Sequence, residues 1–254
     1  MLVHPTDKAV QYKNMAKYIT NFLKKEPVAE KTLQLQFARP EGFTYAPGQT
    51  IDLTLIHPLI DDADGNTRTL SLVSTPDDEL LSVATRIRDS AFKQNIEALH
   101  QHTEVLITGP FGSFTLHQNS QRPAVFLAGG IGVTPFYSII NDAIKHTLPH
   151  SLFLFYANRR PEDALFLSEL KNLSAQHAQF HFIPTMTNMS QSKQHWEGIQ
   201  GHISEAMLTA HIPNDMLPIY YLAGPSNMVM AMQNMLHDML VDTDNIKIEE
   251  FPGY

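Results

Sequence analysis

Hydrophobic and polar residues alternate strictly in the first part of the chain. The alternation is clearest in residues 31–38 and returns in residues 51–55, after the turn at Pro47-Gly48. A period of two is typical of β-strands with one buried face, and similar runs occupy residues 69–74, 80–87 and 104–108. Only residues 92–99 have helical spacing. Six or so short strands with one helix predict an N-terminal antiparallel β-barrel.

A different pattern begins after the polar residues 117–121, where short apolar strands alternate with helical stretches. The predicted strands are residues 124–128, 151–157, 179–185, 219–223 and 246–250, and the predicted helices lie near residues 135–146, 162–175, 203–210 and 226–240. This order predicts an α/β doubly wound parallel five-stranded sheet. We therefore expect two domains, the barrel in residues 1–118 and the α/β domain in residues 122–254.

Composition and charge exclude several classes of protein. The 254 residues are 43% hydrophobic and 17% charged, as is typical of soluble globular proteins. A net charge of −8 argues against nucleic acid as the main partner. The absence of cysteine excludes disulfides, iron–sulfur clusters and a cysteine nucleophile within this sequence. The 13 histidines have spacings that do not predict a metal site.

The hydrophobic segments of the chain do not predict membrane insertion. The N-terminal residues lack the apolar core of a signal peptide. The uncharged residues 123–141 are interrupted by Gly129, Gly130, Gly132 and Pro135, so we expect no membrane span. These features favour a cytoplasmic protein.

A glycine-rich loop, AGGIGVTP at residues 128–135, joins the first strand of the predicted parallel sheet to its first helix. Open α/β sheets bind ligands at this position. Gly130 and Gly132 leave backbone amides accessible before a helix N-terminus, whose partial positive charge suits a pyrophosphate. We expect Thr134 to cap the helix and Pro135 to begin it. A tight strand-to-helix turn without a ligand is the alternative, because the loop lacks the G-x-G-x-x-G pattern.

Four further motifs follow in a fixed order: RTLSLVS at residues 68–74, GPFGSF at 109–114, LAGPSNM at 222–228 and IEEFPGY at 248–254. Together with the two predicted domains and GGIGVTP, they resemble the ferredoxin–NADP reductase superfamily of flavin oxidoreductases over nearly the whole chain. RTLSLVS is similar to the family's flavin-binding R-x-Y-S, and GPFGSF to the turn that ends its barrel. LAGPSNM is similar to its C-G-P-x-x-M nicotinamide motif, and IEEFPGY to its C-terminal strand.

The resemblance implies an enzyme, an NAD(P)H-dependent flavoprotein reductase. Hydride would pass from NADPH or NADH to bound FAD, with FMN as the alternative cofactor. Electrons would then leave for a separate acceptor, which is a ferredoxin, a flavodoxin, an oxygenase component or a small molecule, because the sequence offers no ligands for its own iron–sulfur cluster. The reductase component of a multi-component oxygenase is an alternative function. A non-catalytic flavin-binding regulatory subunit is an alternative of another class.

The resemblance also implies the flavin-binding residues. Arg68 would pair with the flavin pyrophosphate, the Ser71 hydroxyl would bond the flavin ring, and Ser90 with nearby amides would hold the second phosphate. Lys93 is either a further ligand or a solvated surface charge. The complete set is Arg68, Thr69, Leu70, Ser71, Ser90, Phe92 and Lys93.

The nicotinamide nucleotide would contact the glycine loop and the LAGPSNM motif, at Gly130, Gly132, Val133, Thr134, Gly224, Pro225 and Ser226. The residues next to the reacting rings would be Ser71, Glu250, Phe251 and Tyr254. Either Phe251 or Tyr254 would cover the flavin; alternatively Phe251 belongs to the core. Two departures from the family, Leu70 for its flavin-stacking tyrosine and Ala223 for its cysteine, put the rate and the flavin potential in doubt but not the reaction class.

Two groups of basic residues suggest partner preferences. Arg159 and Arg160 follow the second parallel strand, where an arginine can read the 2′-phosphate, and therefore favour NADPH over NADH. Solvent-facing loop charges are the alternative. The first 31 residues carry a local excess of lysine that would steer an acidic carrier, unless it is simply solvated surface. These lysines are Lys8, Lys13, Lys17, Lys24, Lys25 and Lys31.

Overall fold

The N-terminal part of the chain forms a closed antiparallel barrel. The computed structural model describes residues 15–213 and 215–251. The barrel strands are β1 (Lys17–Ala29), β2 (Thr32–Ala38), β3 (Thr50–Leu55), β4 (Thr67–Ser71), β5 (Leu80–Arg86) and β6 (Glu104–Phe111). They are ordered β4-β3-β6-β1-β2-β5, and an antiparallel bridge between Leu72 and Val83 joins the first strand to the last. Helix α1 (Ala91–Ala98) follows β5. The predicted barrel is confirmed.

The C-terminal part forms a parallel sheet with helices on both faces. Its strands are β7 (Ala124–Gly129), β8 (Leu152–Asn158), β9 (Phe180–Met186), β10 (Ile199–Gln200), β11 (Ile219–Gly224) and β12 (Ile246–Glu250). Its helices are α2 (Val133–Lys145), α3 (Leu167–Gln176), α4 (Glu205–His211) and α5 (Ser226–Asp238). The predicted α/β class and five strands are confirmed; the sixth strand, β10, is too short for a sequence period to reveal.

The strand order of this sheet, β10-β9-β8-β7-β11-β12, determines where a ligand can bind. The chain leaves β7 toward β8 on one side and returns to β11 on the other. The crevice at the carboxyl ends of β7 and β11 is therefore the switch point at which doubly wound sheets bind ligands. Both faces of the sheet are buried, with Phe126 and Phe136 in one core and Leu127 and Leu222 in the other.

The barrel contacts the α/β domain beside this crevice. The Ser138 hydroxyl of α2 donates a hydrogen bond of 2.7 Å to the Ser74 carbonyl of the barrel. The Arg86 guanidinium, at the end of β5, donates one of 3.1 Å to the Asp163 carbonyl. These contacts place the end of β5 next to the glycine-rich loop. Within the described ranges, no helix has the length and apolar character that a membrane crossing requires.

Candidate active site

A cavity of about 580 Å³ lies between the barrel and the C-terminal strand β12; we call it the flavin-side cavity. Six residues singled out from the sequence line it: Arg68, Thr69, Ser90, Lys93, Glu250 and Phe251. They come from β4, from helix α1 with the residue before it, and from the chain after β11, more than 150 positions apart at the extremes. The fold therefore brings together residues that the motifs only placed in order.

Three cations surround this cavity: Arg68, Arg88 and Lys93. Lys93 is 7% exposed, and its ammonium group donates to the Thr85 hydroxyl and lies 5.5 Å from the centre of the Phe92 ring. Burial, followed by the charges of Arg68 and Arg88, lowers the pKa of Lys93 to about 8. Lys93 is thus no solvated surface charge. Arg68 and Arg88 lie close enough to lower the pKa of Lys93, so this cluster of cations fits an anionic group such as a phosphate, within a cavity that four carboxylates also line.

Arg68 is held by its own loop and by an aromatic ring. Its Nη1 donates to the carbonyl groups of Asp64, Gly65 and Thr67 at 2.8–3.0 Å. Its guanidinium carbon lies 5.0 Å from the centre of the Phe92 ring. Phe92 itself is 1% exposed and packs in the barrel core, as Leu70 does. Phe92 and Leu70 therefore belong to the barrel core next to the cavity.

Two buried oxygen atoms beside the cavity have no hydrogen-bond partner in the described residues. One is Ser71 Oγ, in a residue that is 2% exposed and pairs in register with the cavity-lining Thr50. The other is Oε2 of Glu249, which lines the cavity, and burial raises the pKa of this carboxyl group to about 7. Unsatisfied buried polar groups are costly. A polar ligand such as a flavin ring and its ribityl chain fits these residues.

Glu249 was not among the residues selected from the sequence, which included Glu250. Both carboxylates line the flavin-side cavity. Glu250 is exposed and accepts a 3.1 Å hydrogen bond from the Ser226 hydroxyl. Phe251 packs against the α/β core and also lines the cavity, whereas Tyr254 lies outside the described residues. The apolar residues of β12, Ile246 and Ile248, are in phase with Glu250 and not with Glu249, so the strand pattern held no signal for this carboxylate.

The glycine-rich loop begins its helix earlier than predicted. Gly130–Gly132 form a 3-10 turn that continues into α2 at Val133, with Gly132 as the N-cap residue. The expectations that Thr134 caps the helix and that Pro135 begins it are wrong, because the backbone is already helical before them. The Thr134 hydroxyl donates to the Ile131 carbonyl within its own turn. Val133 and Thr134 are buried as whole residues, so neither offers an open contact to a dinucleotide.

Gly130 and Gly132 are required in this loop for different structural reasons. A Cβ at Gly132 would lie 2.3 Å from the Ala223 carbonyl oxygen, so close packing against β11 requires glycine there. A Cβ at Gly130 would find its nearest neighbour 4.0 Å away, at Arg86. Gly130 instead has a φ of +53°, in the left-handed region that favours glycine. Gly130 is the one open to a ligand.

A second cavity of about 470 Å³ adjoins the loop at the carboxyl ends of the parallel strands; we call it the nucleotide-side cavity. The predicted residues Gly130, Arg159 and Pro225 line it, and Arg88 lines both cavities. Asn158 also lines it, is 5% exposed, and has an amide whose two polar atoms find no partner in the part of the chain that the structure describes. Asn158 escaped the sequence analysis because an asparagine after a strand is typical of a turn.

The two arginines after β8 differ in their surroundings. Arg160 forms ion pairs with Asp163 at 2.8 Å and with Glu30 at 3.2 Å, so its charge is balanced. Arg159 is exposed and lines the nucleotide-side cavity. Of the two, Arg159 is therefore the one placed to meet a nucleotide phosphate.

Part of the lysine-rich segment has structural roles. Lys25 donates to the carbonyl groups that end helix α1, including those of Ile96 and Leu99, and Lys24 pairs with Glu26 at 2.9 Å. Lys8 and Lys13 lie outside the described residues. Lys24 and Lys25 therefore add little to a docking patch.

Comparison with known proteins agrees with this geometry. Residues 126–234 match the family model described as oxidoreductase NAD-binding domain. The chain is 24% identical over 240 residues to ferredoxin–NADP reductase B of Sorangium cellulosum, covering 89% of this chain and 93% of that protein. The crystal structure of a ferredoxin NADP+ reductase from Neisseria gonorrhoeae with bound FAD and NADP has the same fold. Its TM-score is 0.74 at 19% identity, covering 92% of this chain and 98% of that one.

Several further relatives are longer proteins. The chain is 27% identical over 154 residues to a subunit of the Na(+)-translocating NADH-quinone reductase of Psychrobacter arcticus, covering 59% of this chain and 37% of that protein. It thus spans less than two fifths of the length of this group of relatives.

Proposed function

We propose that the chain, which is similar to members of the ferredoxin–NADP reductase superfamily, is an NAD(P)H-dependent flavoprotein reductase. FAD, with FMN as the alternative, would occupy the flavin-side cavity, and the dinucleotide would occupy the nucleotide-side cavity. The bound flavin supplies hydride acceptance from nicotinamide and the passage of electrons to an acceptor. The observation that carries the proposal is the adjacency of the two cavities, which share Arg88 and are each bordered by unpartnered buried polar atoms.

In the flavin-side cavity, the chain's own residues would bind the flavin phosphates, orient the flavin ring and hold a proton. Arg68 and Lys93 would bind the phosphates together with the Ser90 hydroxyl and nearby amides. The Ser71 hydroxyl would donate to the flavin ring, which satisfies its buried oxygen. Glu249, with its pKa raised to about 7 by burial, can hold or release a proton at Oε2 near neutral pH. Phe251 would exclude water from the ring.

In the nucleotide-side cavity, the backbone of the glycine loop would approach the pyrophosphate at Gly130. The Asn158 amide would hydrogen-bond the nucleotide, and Arg159 would favour NADPH by pairing with its 2′-phosphate. Gly224, Pro225 and Ser226 would flank the nicotinamide, where the small Ala223 leaves room but offers no thiol. The balanced charge of Arg160 supports a role for that residue in holding the loop.

The electron acceptor, the compartment and the domain limits belong to the same proposal. We propose a ferredoxin, a flavodoxin, an oxygenase component or a small molecule as the acceptor, a cytoplasmic location, and functional units at residues 1–118 and 122–254. The relatives named above support reduction of a separate acceptor, because one is a ferredoxin–NADP reductase and another is part of a quinone reductase. Cell fractionation tests the location.

Anaerobic reduction tests the proposed function. The purified full chain, loaded with FAD, should be bleached by NADPH or NADH in the absence of oxygen. An Arg159→Ala protein keeps the same flavin-side cavity and should be bleached more slowly by NADPH. A yellow protein that neither nucleotide bleaches would be a flavin-binding protein without turnover, and a protein that takes up no flavin would contradict both functions.

A further inference from the structure

A short acidic loop borders the flavin-side cavity, which one of its residues, Asp64, lines. It consists of residues 61–64, Asp61-Asp62-Ala63-Asp64, between β3 and β4. The preceding residues are anchored to helix α1 by the buried Asn95, whose Oδ1 accepts from the Leu59 and Ile60 amides at 2.7 and 3.1 Å. The acidic loop is therefore held against the start of that helix.

Asp62 occupies the N-terminus of α1. Its Oδ2 accepts a 2.9 Å hydrogen bond from the Ala91 amide, the first residue of the helix. Its Oδ1 accepts from the Asp64 amide at 3.0 Å, which fixes the carboxylate in this orientation. A carboxylate on a helix amide uses the same donors and the same dipole as a phosphate would.

The loop also engages Arg68. The guanidinium donates to the Asp64 and Gly65 carbonyls at 3.0 Å each, and the Asp64 carboxylate lies 3.9 Å from it. One loop thus contacts two of the groups that the proposed function assigns to the flavin phosphates, the Arg68 guanidinium and an amide at the start of α1.

We propose that the acidic loop competes with the flavin pyrophosphate, with Asp62 as the residue that sets flavin affinity. This inference rests on the proposed function. The cavity, its three clustered cations and the unpartnered Ser71 Oγ independently indicate a polar, anionic ligand at this place. FAD must then displace Asp62 from the Ala91 amide and part of the loop from Arg68, so the flavin is an exchangeable ligand held less tightly than its contacts alone would allow.

The loop can move without exposing the barrel core. Asp61, Asp62 and Asp64 are exposed, and the side chains of Leu59 and Ile60 are already 79% and 47% exposed. Displacement therefore breaks hydrogen bonds but uncovers little apolar surface, and the phosphates replace the bonds that the carboxylate gives up.

Titration of the flavin-depleted full chain with FAD tests the proposal, using Asp62→Ala and the matched control Asp61→Ala. Asp61 carries the same charge and is also exposed, but its carboxylate accepts from the neighbouring Asp62 amide, at 3.0 Å, and not from the helix. Asp62→Ala should bind FAD about 10-fold more tightly than wild type, the size expected for removing one charged competitor. Asp61→Ala should match wild type.

Thermal unfolding of the same flavin-depleted proteins separates competition from loss of structure. Asp62→Ala removes the carboxylate that accepts from the first amide of α1, so its melting temperature should fall by a few degrees while its FAD affinity rises. A variant that merely folds poorly would have both a lower melting temperature and a lower FAD affinity. Weaker FAD binding by Asp62→Ala, or binding equal to that of Asp61→Ala, overturns the competition but leaves the reductase assignment standing. If wild type and both variants bind neither FAD nor FMN, the proposed function fails as well.

Discussion

The two cavities share Arg88 but differ in the rest of their lining. The flavin-side cavity is lined by charged side chains, Arg68, Arg88 and Lys93 against four carboxylates that include Asp64 and Glu249. The nucleotide-side cavity combines glycine backbone at the switch point of the sheet and the neutral amide of Asn158 with the guanidinium groups of Arg86, Arg88 and Arg159. Side-chain charges can be titrated and can be reached by competing carboxylates. Backbone amides that are fixed by packing do not titrate and are not reached by competing carboxylates. The two regions should therefore respond to mutation and pH in different ways.

The largest effect should come from the backbone-built region, as a loss of stability. Gly132→Ala places a Cβ 2.3 Å from the Ala223 carbonyl oxygen, and over-packing of this kind costs about 3 kcal/mol, or about 10 °C in melting temperature. Gly130→Ala is the matched control, because space is open around it. We expect it to cost only about 1 kcal/mol for its positive φ and to raise KM for NADPH. Similar melting curves for the two variants would contradict the packing role of Gly132.

The charged region should instead lose ligand affinity. Arg68→Ala should weaken FAD binding by about 10- to 100-fold, since a hydrogen bond to a charged group contributes about 1.5–3 kcal/mol. Arg122→Ala is the control, because Arg122 also donates to backbone carbonyls, of Leu217 and Pro218, but lines neither cavity. Fluorescence titration with FAD measures the affinities of both variants. Equal affinities for the two variants would remove Arg68 from the phosphate site.

One charge in the nucleotide-side cavity should determine cofactor choice. Arg159→Ala should lower the ratio of kcat/KM for NADPH over NADH by about 10-fold, the loss of one charge-assisted bond to a phosphate. Arg160→Ala should leave this ratio unchanged, because Asp163 and Glu30 already balance that charge. A wild-type enzyme without a preference for NADPH over NADH would contradict this role of Arg159.

The charged region should also titrate. The pKa of Lys93 is lowered to about 8 by burial and by its cationic neighbours, so below that pH the ammonium is charged and attracts phosphate. FAD affinity should fall as pH rises through this value, by up to about 10-fold between about pH 7 and pH 9. Lys93→Met should abolish the dependence. KM for NADPH on the flavin-loaded enzyme should show no such step.

The smallest effect concerns Glu249, whose pKa in the folded protein is raised to about 7 from 4.5. The folded state holds this proton more tightly than the unfolded chain does, so the group lowers stability as pH rises from about 5 to about 8. Glu249→Gln stays neutral and should be a few degrees more stable than wild type at pH 8 and equal to it at pH 5. Parallel melting curves across this range would show that solvent reaches the carboxylate.

The fold could be predicted because periodicity changes sharply near residue 120, from alternation to the β-α rhythm, and each period reports one kind of burial. The residues of the candidate site were harder to predict from the sequence than the fold. The motifs identified the cavity-lining Arg68 and Gly130, but Lys93 in a short polar helix is indistinguishable from a solvated lysine until α1 packs against β5. Glu249 lies beside the selected Glu250, and only its burial in the folded protein raises its pKa and sets it apart. Tertiary packing, not local pattern, decides the environment of such residues.

The loop at Asp62 lay beyond prediction for a related reason. Its acidic residues are typical of a solvated turn. The contacts of Asn95 hold the loop at a helix whose first residue, Ala91, is 29 positions after Asp62. The misplaced start of α2 has a local cause instead. A 3-10 turn of glycines supplied the helical backbone that a threonine cap was expected to begin.

Arg86 and Arg88, at and just beyond the end of β5, carry a consequence for modular engineering. Both belong to the barrel in sequence, yet both line the cavity of the other domain. A chimera that joined this α/β domain to a foreign barrel would inherit the glycine loop without the cations opposite it. A graft intended to transfer nucleotide preference would therefore have to include residues 86–88 together with the α/β domain, so the functional unit and the folding unit do not share a boundary.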